Sequence, residues 1–440
     1  MMIVCLEKCL EKFHNNVILG DGLAEFQVLS EISEWAMKIE NALKFVGEEA
    51  SLEAISSFWD EFEKTAPEPF LEESVLLENA RFCSVHESLL KPLMEAAAKI
   101  RCSPELSGLV RYVHWTNFVR EGEHPKWPAD WPLFKSLLGE EHCGCVYLLA
   151  AAGYVPQLKA YHKALGLPDE ITRGTAAQVG SYAENYRRGK NGFAGLYPRQ
   201  YSWLRNYLFG NLYFRIGRFE YWSKPYGGQC TVCRHKTGRN IVTFAKGELK
   251  FDKYGFALDQ AAVAPEHEWT SELIIGEDSI KGHPVAADGS TSKKLMELSL
   301  GDWEIILREG TAILDMHIPA GGGMDTDTSF DSFRRAKAFF EERFPEKKHV
   351  AVICQSWVFN PNLPEVLPSS SNLVRLLKNI HLYPTASSRE EGFWFIFLMD
   401  KFDLATASRE SSLQRAILDY ISCGRRWRGG GMFVLLDEIK

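Results

Sequence analysis

The chain has 440 residues, of which 45% are hydrophobic, 25% charged and 12% aromatic; single cores usually stop growing by about 250–300 residues, so more than one globular domain is expected and extensive disorder is not. Fifty Lys and Arg against 58 Asp and Glu give −8 with neutral histidines, which excludes the broad positive field that holds nucleic acid by counterion release. Residues 1–8 mix acidic and basic side chains where a secretory leader needs an apolar run, and no later segment approaches ~18 uncharged apolar residues, so a cytoplasmic protein without a membrane partner is expected.

Between positions 26 and 46, Phe26, Leu29, Ile32, Trp35, Ala36, Ile39, Leu43 and Val46 recur every three or four residues, the spacing of one buried helix face. Leu52, Ile55, Phe58, Trp59 and Phe62 continue the pattern, and further helices are expected over about 72–100 and 104–120, so residues 1–135 read as a helical N-terminal region. Three prolines within 124–132 remove donors and disfavour helix in their predecessors, which makes that stretch an extended connector. Helices are expected again near 146–151, 157–165, 176–187 and 201–212.

After Gly210 the texture changes to alternation over 214–222, 230–235, 241–245 and 249–251, with glycine turns between, as in short antiparallel strands. Residues 136–275 therefore form a second segment, helices followed by strands, and the polar, turn-rich stretch 261–292 reads as a loop insertion. Strand and helix then alternate: strands over 303–307, 312–318, 350–354, 392–399 and 432–436, helices near 329–344, 371–380 and 412–422. The expected fold class is α+β with an α/β-like end, a helical region followed by a mixed sheet flanked by helices. Ten cysteines scattered from Cys5 to Cys423 favour free thiols over a disulfide framework.

The strand over 312–318 delivers the chain to Gly321-Gly322-Gly323, and Thr328 with Asp331 has the spacing of a capping box at the next helix. Glycines let backbone N–H groups approach an anion, and the helix N-terminus behind them adds about half a positive charge. Strand, glycine loop and helix together suit a pyrophosphate; a purely structural glycine turn has the same pattern.

The run Ile313-Leu314-Asp315-Met316-His317-Ile318-Pro319-Ala320-Gly321-Gly322-Gly323-Met324, followed by Asp331-Ser332-Phe333-Arg334-Arg335-Ala336, Phe339-Phe340 and Phe344-Pro345, resembles a bacterial family of acyltransferase-domain proteins. These pair an N-acyltransferase N-terminal domain with a GNAT-like C-terminal domain. The likeness continues through Cys354-Gln355-Ser356-Trp357, Leu367-Pro368, Ser371-Asn372-Leu373 and Ser412-Leu413-Gln414-Arg415-Ala416 to Gly424-Arg425-Arg426-Trp427-Arg428 and Gly429-Gly430-Gly431-Met432-Phe433. Upstream it takes in Trp203-Leu204, Gly210-Asn211-Leu212-Tyr213-Phe214-Arg215-Ile216-Gly217-Arg218-Phe219-Glu220 and Gly282-His283-Pro284, and so spans about residues 145–440.

The resemblance implies an N-acyltransferase-like domain over 136–275, a GNAT-like domain over 276–440, and transfer of an acyl group from acetyl-CoA, another acyl-CoA or a carrier thioester to an amine. It places the cofactor on Gly321, Gly322, Gly323 and Met324, with Ser332 on the following helix. In place of the usual Q/R-x-x-G-x-G/A loop of GNAT enzymes the chain has the three glycines followed by Asp325 and Asp327. The second expectation is therefore a non-catalytic protein that binds or senses a small ligand on a degenerate form of the fold.

GNAT-type transfer needs a base for the amine, an acid for the departing thiolate and a splayed strand pair to receive the thioester. Asp315 and His317 share one strand face and make a candidate base with its carboxylate, or simply a hydrogen-bonded pair that fixes the strand end. Cys354 and Ser356 share a face at the end of the next strand, where a covalent cysteine competes with plain packing. Glu220 and Tyr383 are further acid/base candidates with structural alternatives. Arg425, Arg426 and Arg428 around Trp427 offer forked donors to a phosphate with the indole stacked on a base, or form a solvated turn.

Cys230 and Cys233 make half a zinc site whose only possible complement is His142-Cys143-Gly144-Cys145; the strand pattern accounts for them more simply, and no metal is expected. The rings Trp203, Tyr207, Tyr213, Phe214, Phe219, Tyr221 and Trp222 beside Arg205, Arg215 and Arg218 have helical and strand spacing, and read as core rather than as a platform for bases.

Overall fold

The computed structural model describes residues 39–48, 51–52, 56–66, 68–122, 131–259 and 266–440. The first part of the helix expected over 26–46 and most of the proline connector lie outside the described residues. The chain divides into two compact units, one running to Leu167 and resuming over Ala176–Phe209, the other made of Pro168–Thr175 and Gly210–Lys440. The main part of the second unit begins at Gly210. The cause is the change of periodicity there: the strands from Tyr213 onward find their ladder partners only in the C-terminal half.

The first unit is helical, with α1 Ile39–Val46, α2 Glu73–Phe82, α3 Glu87–Arg101, α4 Pro104–Phe118, α5 Cys145–Ala152, α6 Val155–Ala164 and much of α7 Asp169–Gly189. Every residue of α5 is buried, as an all-apolar helix requires. α4 begins where the Ser103 hydroxyl accepts from Leu106 N at 3.2 Å and Pro104 stands in the first turn, a position that needs no donor. Among the described residues no helix is long and apolar enough to cross a membrane.

The second unit is built on a six-stranded sheet. Its strands are β1 Tyr213–Ile216, β2 Phe219–Pro225, β12 Ala312–His317, β13 Ala351–Ser356, β14 His381–Tyr383 and β15 Gly430–Leu435, in the order β1-β2-β12-β13-β15-β14. All neighbours are antiparallel except β12 and β13, which are parallel. That pair needs a crossover, supplied by helix α8, Thr326–Arg343. The last strand of the chain, β15, inserts between β13 and β14.

Register decides which side chains meet. Glu220 faces His317, Trp222 faces Asp315, Asp315 faces Ile353, and Gln355 faces Gly431, which faces Tyr383; all lie on one side of the sheet. Tyr221, Met316, Leu314, Val352, Cys354 and Met432 lie on the other. The second side is closed by α8, whose Phe333, Ala336 and Phe340 are buried. The first side packs Ile313, Ile353, Tyr383 and Phe433 against Tyr226, Cys230, Val232 and Leu307. Several of these come from a four-stranded sheet of β3 Cys230–His235, β4 Ile241–Ala245, β9 Pro284–Val285 and β11 Trp303–Leu307.

Three elements depart from the expectations. The stretch read as a loop insertion carries β6 Trp269–Thr270, which pairs with β5 Lys250–Phe251, then β7 Leu273–Ile275, β8 Ser279–Gly282, which pairs with β10 Met296–Ser299, and β9, strands too short to show a period of two in sequence. Residues 392–399 contain a helical turn, Phe393–Phe397, in which the Phe393 and Phe397 rings meet edge to face at 5.5 Å and both contact Phe402. β14, three residues long, is too short to leave a period in the sequence. The helix expected over 412–422 is present as Ser412–Ser422.

Candidate active site

The parallel strands β12 and β13 pair at Leu314↔Val352 and Asp315↔Ile353, with Val350 N donating to Ala312 O (3.0 Å) just before them. Both run further, to His317 and Ser356, and both stay paired on their outer edges, His317 with Glu220 and Ser356 with Gly430. The sheet therefore opens in its middle, at the C-terminal ends of two strands held from outside. Peptide groups along this opening have no ladder partner across it, and such groups are available to a ligand.

Directly after β12 comes the loop 318–325, with φ of +79° at Gly321 and +71° at Gly322, backbone that side chains disfavour. Arg218, from the β1–β2 turn, donates from Nη1 to Pro319 O (3.0 Å), from Nε to Gly323 O (3.1 Å) and from Nη2 to Gly322 O (3.5 Å). Met324 is buried and anchors the far end of the loop. The cap of α8 is Asp325, whose carboxylate accepts from Thr328 N at 2.8 Å, so the expected Thr328–Asp331 box gives way to a cap three residues earlier. The Thr328 N–H holds the Asp325 carboxyl below its ordinary value.

Ser332 lies against the β1–β2 turn. Its fully buried hydroxyl donates to Ile216 O (2.7 Å), accepts from Phe219 N (3.3 Å) and bonds the Tyr221 hydroxyl (2.8 Å). It fixes the β1–β2 turn, and through that turn Arg218.

At the opening, His317 Nε2 lies 3.0 Å from Asp315 Oδ2, and Lys224 Nζ lies 2.5 Å from the same carboxylate. Burial pushes the Asp315 carboxyl up, but the His317 bond and Lys224 outweigh it and leave it below the ordinary range. An ionised Asp315 only accepts, so His317 Nε2 carries a proton in this pair. Glu220, buried and opposite His317 in register, accepts from the Tyr213 hydroxyl at 2.9 Å, and the Tyr213 ring meets the His317 ring edge-on at 5.4 Å. The structure thus gathers Asp315, His317 and Glu220. Lys224 and Tyr213, not singled out as site residues from sequence, join them; the only signal for Lys224 was its alternation with Glu220 and Trp222 on β2.

Cys354 and Ser356 do share a face, but the opposite one. Burial pushes the Cys354 thiol well above its ordinary value, and Ser356 accepts from Val358 N (3.4 Å) at the start of a short 3-10 turn. Tyr383 is on the right face but packed into the core with its ring against Gly431, where a Cβ would lie 2.2 Å from it.

The three arginines lie elsewhere in this unit. Arg428 is buried, with Nη2 3.2 Å from Asp252 Oδ2; Arg425 donates to Glu365 at 2.7 Å; Arg426 donates to Ser387 O at 3.4 Å. They line a cleft that no residue of the glycine loop lines. Trp427 is buried with its indole N–H on Glu391 O (2.9 Å), so it cannot stack on a base. Cys230 and Cys233 are buried in different clusters, one against Tyr226 and the other against Phe244. Among the described residues no three His, Cys, Asp or Glu side chains come together in a metal-binding group.

Residues 213–433 match the model of the GNAT-like C-terminal domain, and residues 78–210 that of the N-acyltransferase N-terminal domain, so the likeness reaches well upstream of residue 145. The fold is similar to crystal structures of an acyltransferase in complex with CoA and 10C-teicoplanin and of an acyltransferase with decanoyl-CoA and teicoplanin. Each shows 20% identity and a TM-score of 0.59, over 91% of this chain and 100% of the other. A mutant acyltransferase with octanoyl-CoA is similar at 19% identity and a TM-score of 0.58, over 91% and 99%. At these identities the likeness shows the fold alone. No curated protein matches the chain.

Proposed function

The chain belongs to the family with the GNAT-like C-terminal domain, and on that premise we propose that it transfers an acyl group from acyl-CoA to an amine at the opening between β12 and β13. The observation that carries this reading is the parting of the two central strands immediately before a glycine loop and a helix N-terminus. The residues present fit such a cofactor. With its carbonyls drawn to Arg218, the loop can offer the N–H groups of Gly321, Gly322, Gly323 and Met324 to a pyrophosphate. Asp325 already occupies the end of α8, which leaves the loop as the donor set.

When bound, acyl-CoA supplies an activated thioester. His317, with Nε2–H fixed by Asp315, accepts the amine proton at Nδ1; Lys224 keeps Asp315 ionised; Glu220 lies opposite to stabilise the imidazolium. The Asp325 cap favours the second reading, a protein that binds a small ligand without turning it over.

Calorimetric titration with acetyl-CoA and octanoyl-CoA, alongside thiol release in the presence of amines, separates the two. Binding is expected for the wild type and a loss of at least ~10-fold in Gly322→Asp, whose Cβ would sit 3.1 Å from Arg218 Nε in a backbone conformation hostile to side chains. Binding without thiol release, unchanged in His317→Ala, selects the non-catalytic reading; no heat with either thioester refutes both uses of the loop.

A further inference from the structure

The cleft lined by the arginines has a volume of about 840 Å³, within the range of small-molecule sites. One wall is the turn from Asp252 to Phe256; the other is the loop from Gly424 to Arg428. That loop enters β15 at Gly430, which pairs with Ser356 at the end of β13, so it leaves the sheet at the same end as the β12–β13 opening.

The wall is built rather than incidental. Asp252 is buried and fixed by its own turn, with Oδ1 accepting from Tyr254 N (2.9 Å) and Phe256 N (3.0 Å) while Oδ2 accepts from Arg428. The Arg428 side chain is 7% exposed and its guanidinium stands 4.9 Å over the Phe256 ring. Yet the Nε–H groups of both Arg428 and Arg426 are buried without an acceptor among the described residues. Arg425 is paired with Glu365 and Arg428 with Asp252, whereas Arg426 has only the Ser387 carbonyl at 3.4 Å. Both guanidiniums thus have fewer acceptors than donors, and a carboxylate in the cleft they line would supply acceptors to their remaining N–H groups.

The sign pattern narrows the ligand. Lys253, Arg425, Arg426 and Arg428 face Asp252, Glu266, Glu268 and Glu365 across the cleft, so the lining has no net positive charge to offer a polyanion such as the pyrophosphate of coenzyme A. A single carboxylate on an otherwise neutral or cationic molecule fits it, and Tyr254, Phe256 and Tyr420 supply apolar surface for its body. We propose that this cleft holds the amine acceptor, an amino-acid-like or peptide-like molecule whose carboxylate rests on Arg426 and Arg428. The word acceptor rests on the acyl-transfer reading above; the carboxylate site does not.

The test uses the full chain, without acyl-CoA, titrated calorimetrically with glycyl-phenylalanine, phenylalanine and the C-terminal amide of each. The acids are expected to bind at least ~10-fold more tightly than the amides, as loss of a charge-assisted pair implies. Arg426→Gln should reduce that preference to under ~3-fold and leave acetyl-CoA binding unchanged. Arg428→Lys should do the same; it disturbs a buried pair, so the half-buried Arg426 keeps the test decisive if that variant fails to fold. Equal binding of acid and amide, no binding of either, or an Arg426→Gln variant that weakens acetyl-CoA instead would overturn the proposal. An intact acid preference with no thiol release from acetyl-CoA supports the carboxylate site and counts against acyl transfer alone.

Discussion

Asp315 is the residue whose state organises its neighbours, and its titration is open to measurement. Its folded pKa lies below the unfolded value of about 3.9, because the His317 bond and Lys224 outweigh burial. Its contribution to stability is therefore complete above that unfolded value and is lost as pH falls through the folded one. In Asp315→Asn, the decline of urea-unfolding stability below about pH 4 should be shallower than in the wild type; identical acid limbs would show that the carboxylate is not paired as described. The Asp315–His317 pair was legible in sequence because residues two apart on a strand share a face. Glu220 gained its place only through register, and Cys354 lost its own by parity: one step in the β12–β13 pairing decides which side of the sheet a side chain takes.

Among elements, the clearest sequence signals were those written locally. The helix Ser412–Ser422 opens with a full capping box, Ser411 accepting from Gln414 N (3.1 Å) and Gln414 Oε1 accepting from Ser411 N (2.9 Å). Ser411→Ala should lower the stability of the second unit by about 1 kcal/mol, with Ser411→Asp close to wild type, as read by urea denaturation. Where structure depends on distant partners the signal fails. Phe393-Trp394-Phe395-Ile396-Phe397 reads as a strand by composition, but Gly392 enters at φ +78° and the Phe393 and Phe397 rings close on Phe402, which favours a helical turn. The strands between 269 and 285 exist because their neighbours supply ladder partners, information that no window of a few residues contains.

At the scale of the molecule, the pattern of elements predicts the α+β class, and the change from helical to strand periodicity after Gly210 is written in the sequence. The reading of free thiols is open to a whole-chain measurement. Among the described residues, Cys102 and Cys423 are exposed, whereas Cys83, Cys143, Cys145, Cys230, Cys233 and Cys354 are buried. Brief iodoacetamide treatment of the native protein should alkylate the first two and spare the six, which react only after unfolding; peptide mass spectrometry showing early modification of Cys354 would contradict its place in the core. The opening between β12 and β13 also changes what the large sheet is. Mechanically it is two three-stranded halves, β1-β2-β12 and β13-β15-β14, stitched at one end of a shared seam by two facing residue pairs. Any molecule that lies along the unstitched length and bonds both edges would act as a seventh strand, and its binding energy would be spent on fusing the halves as much as on holding the guest.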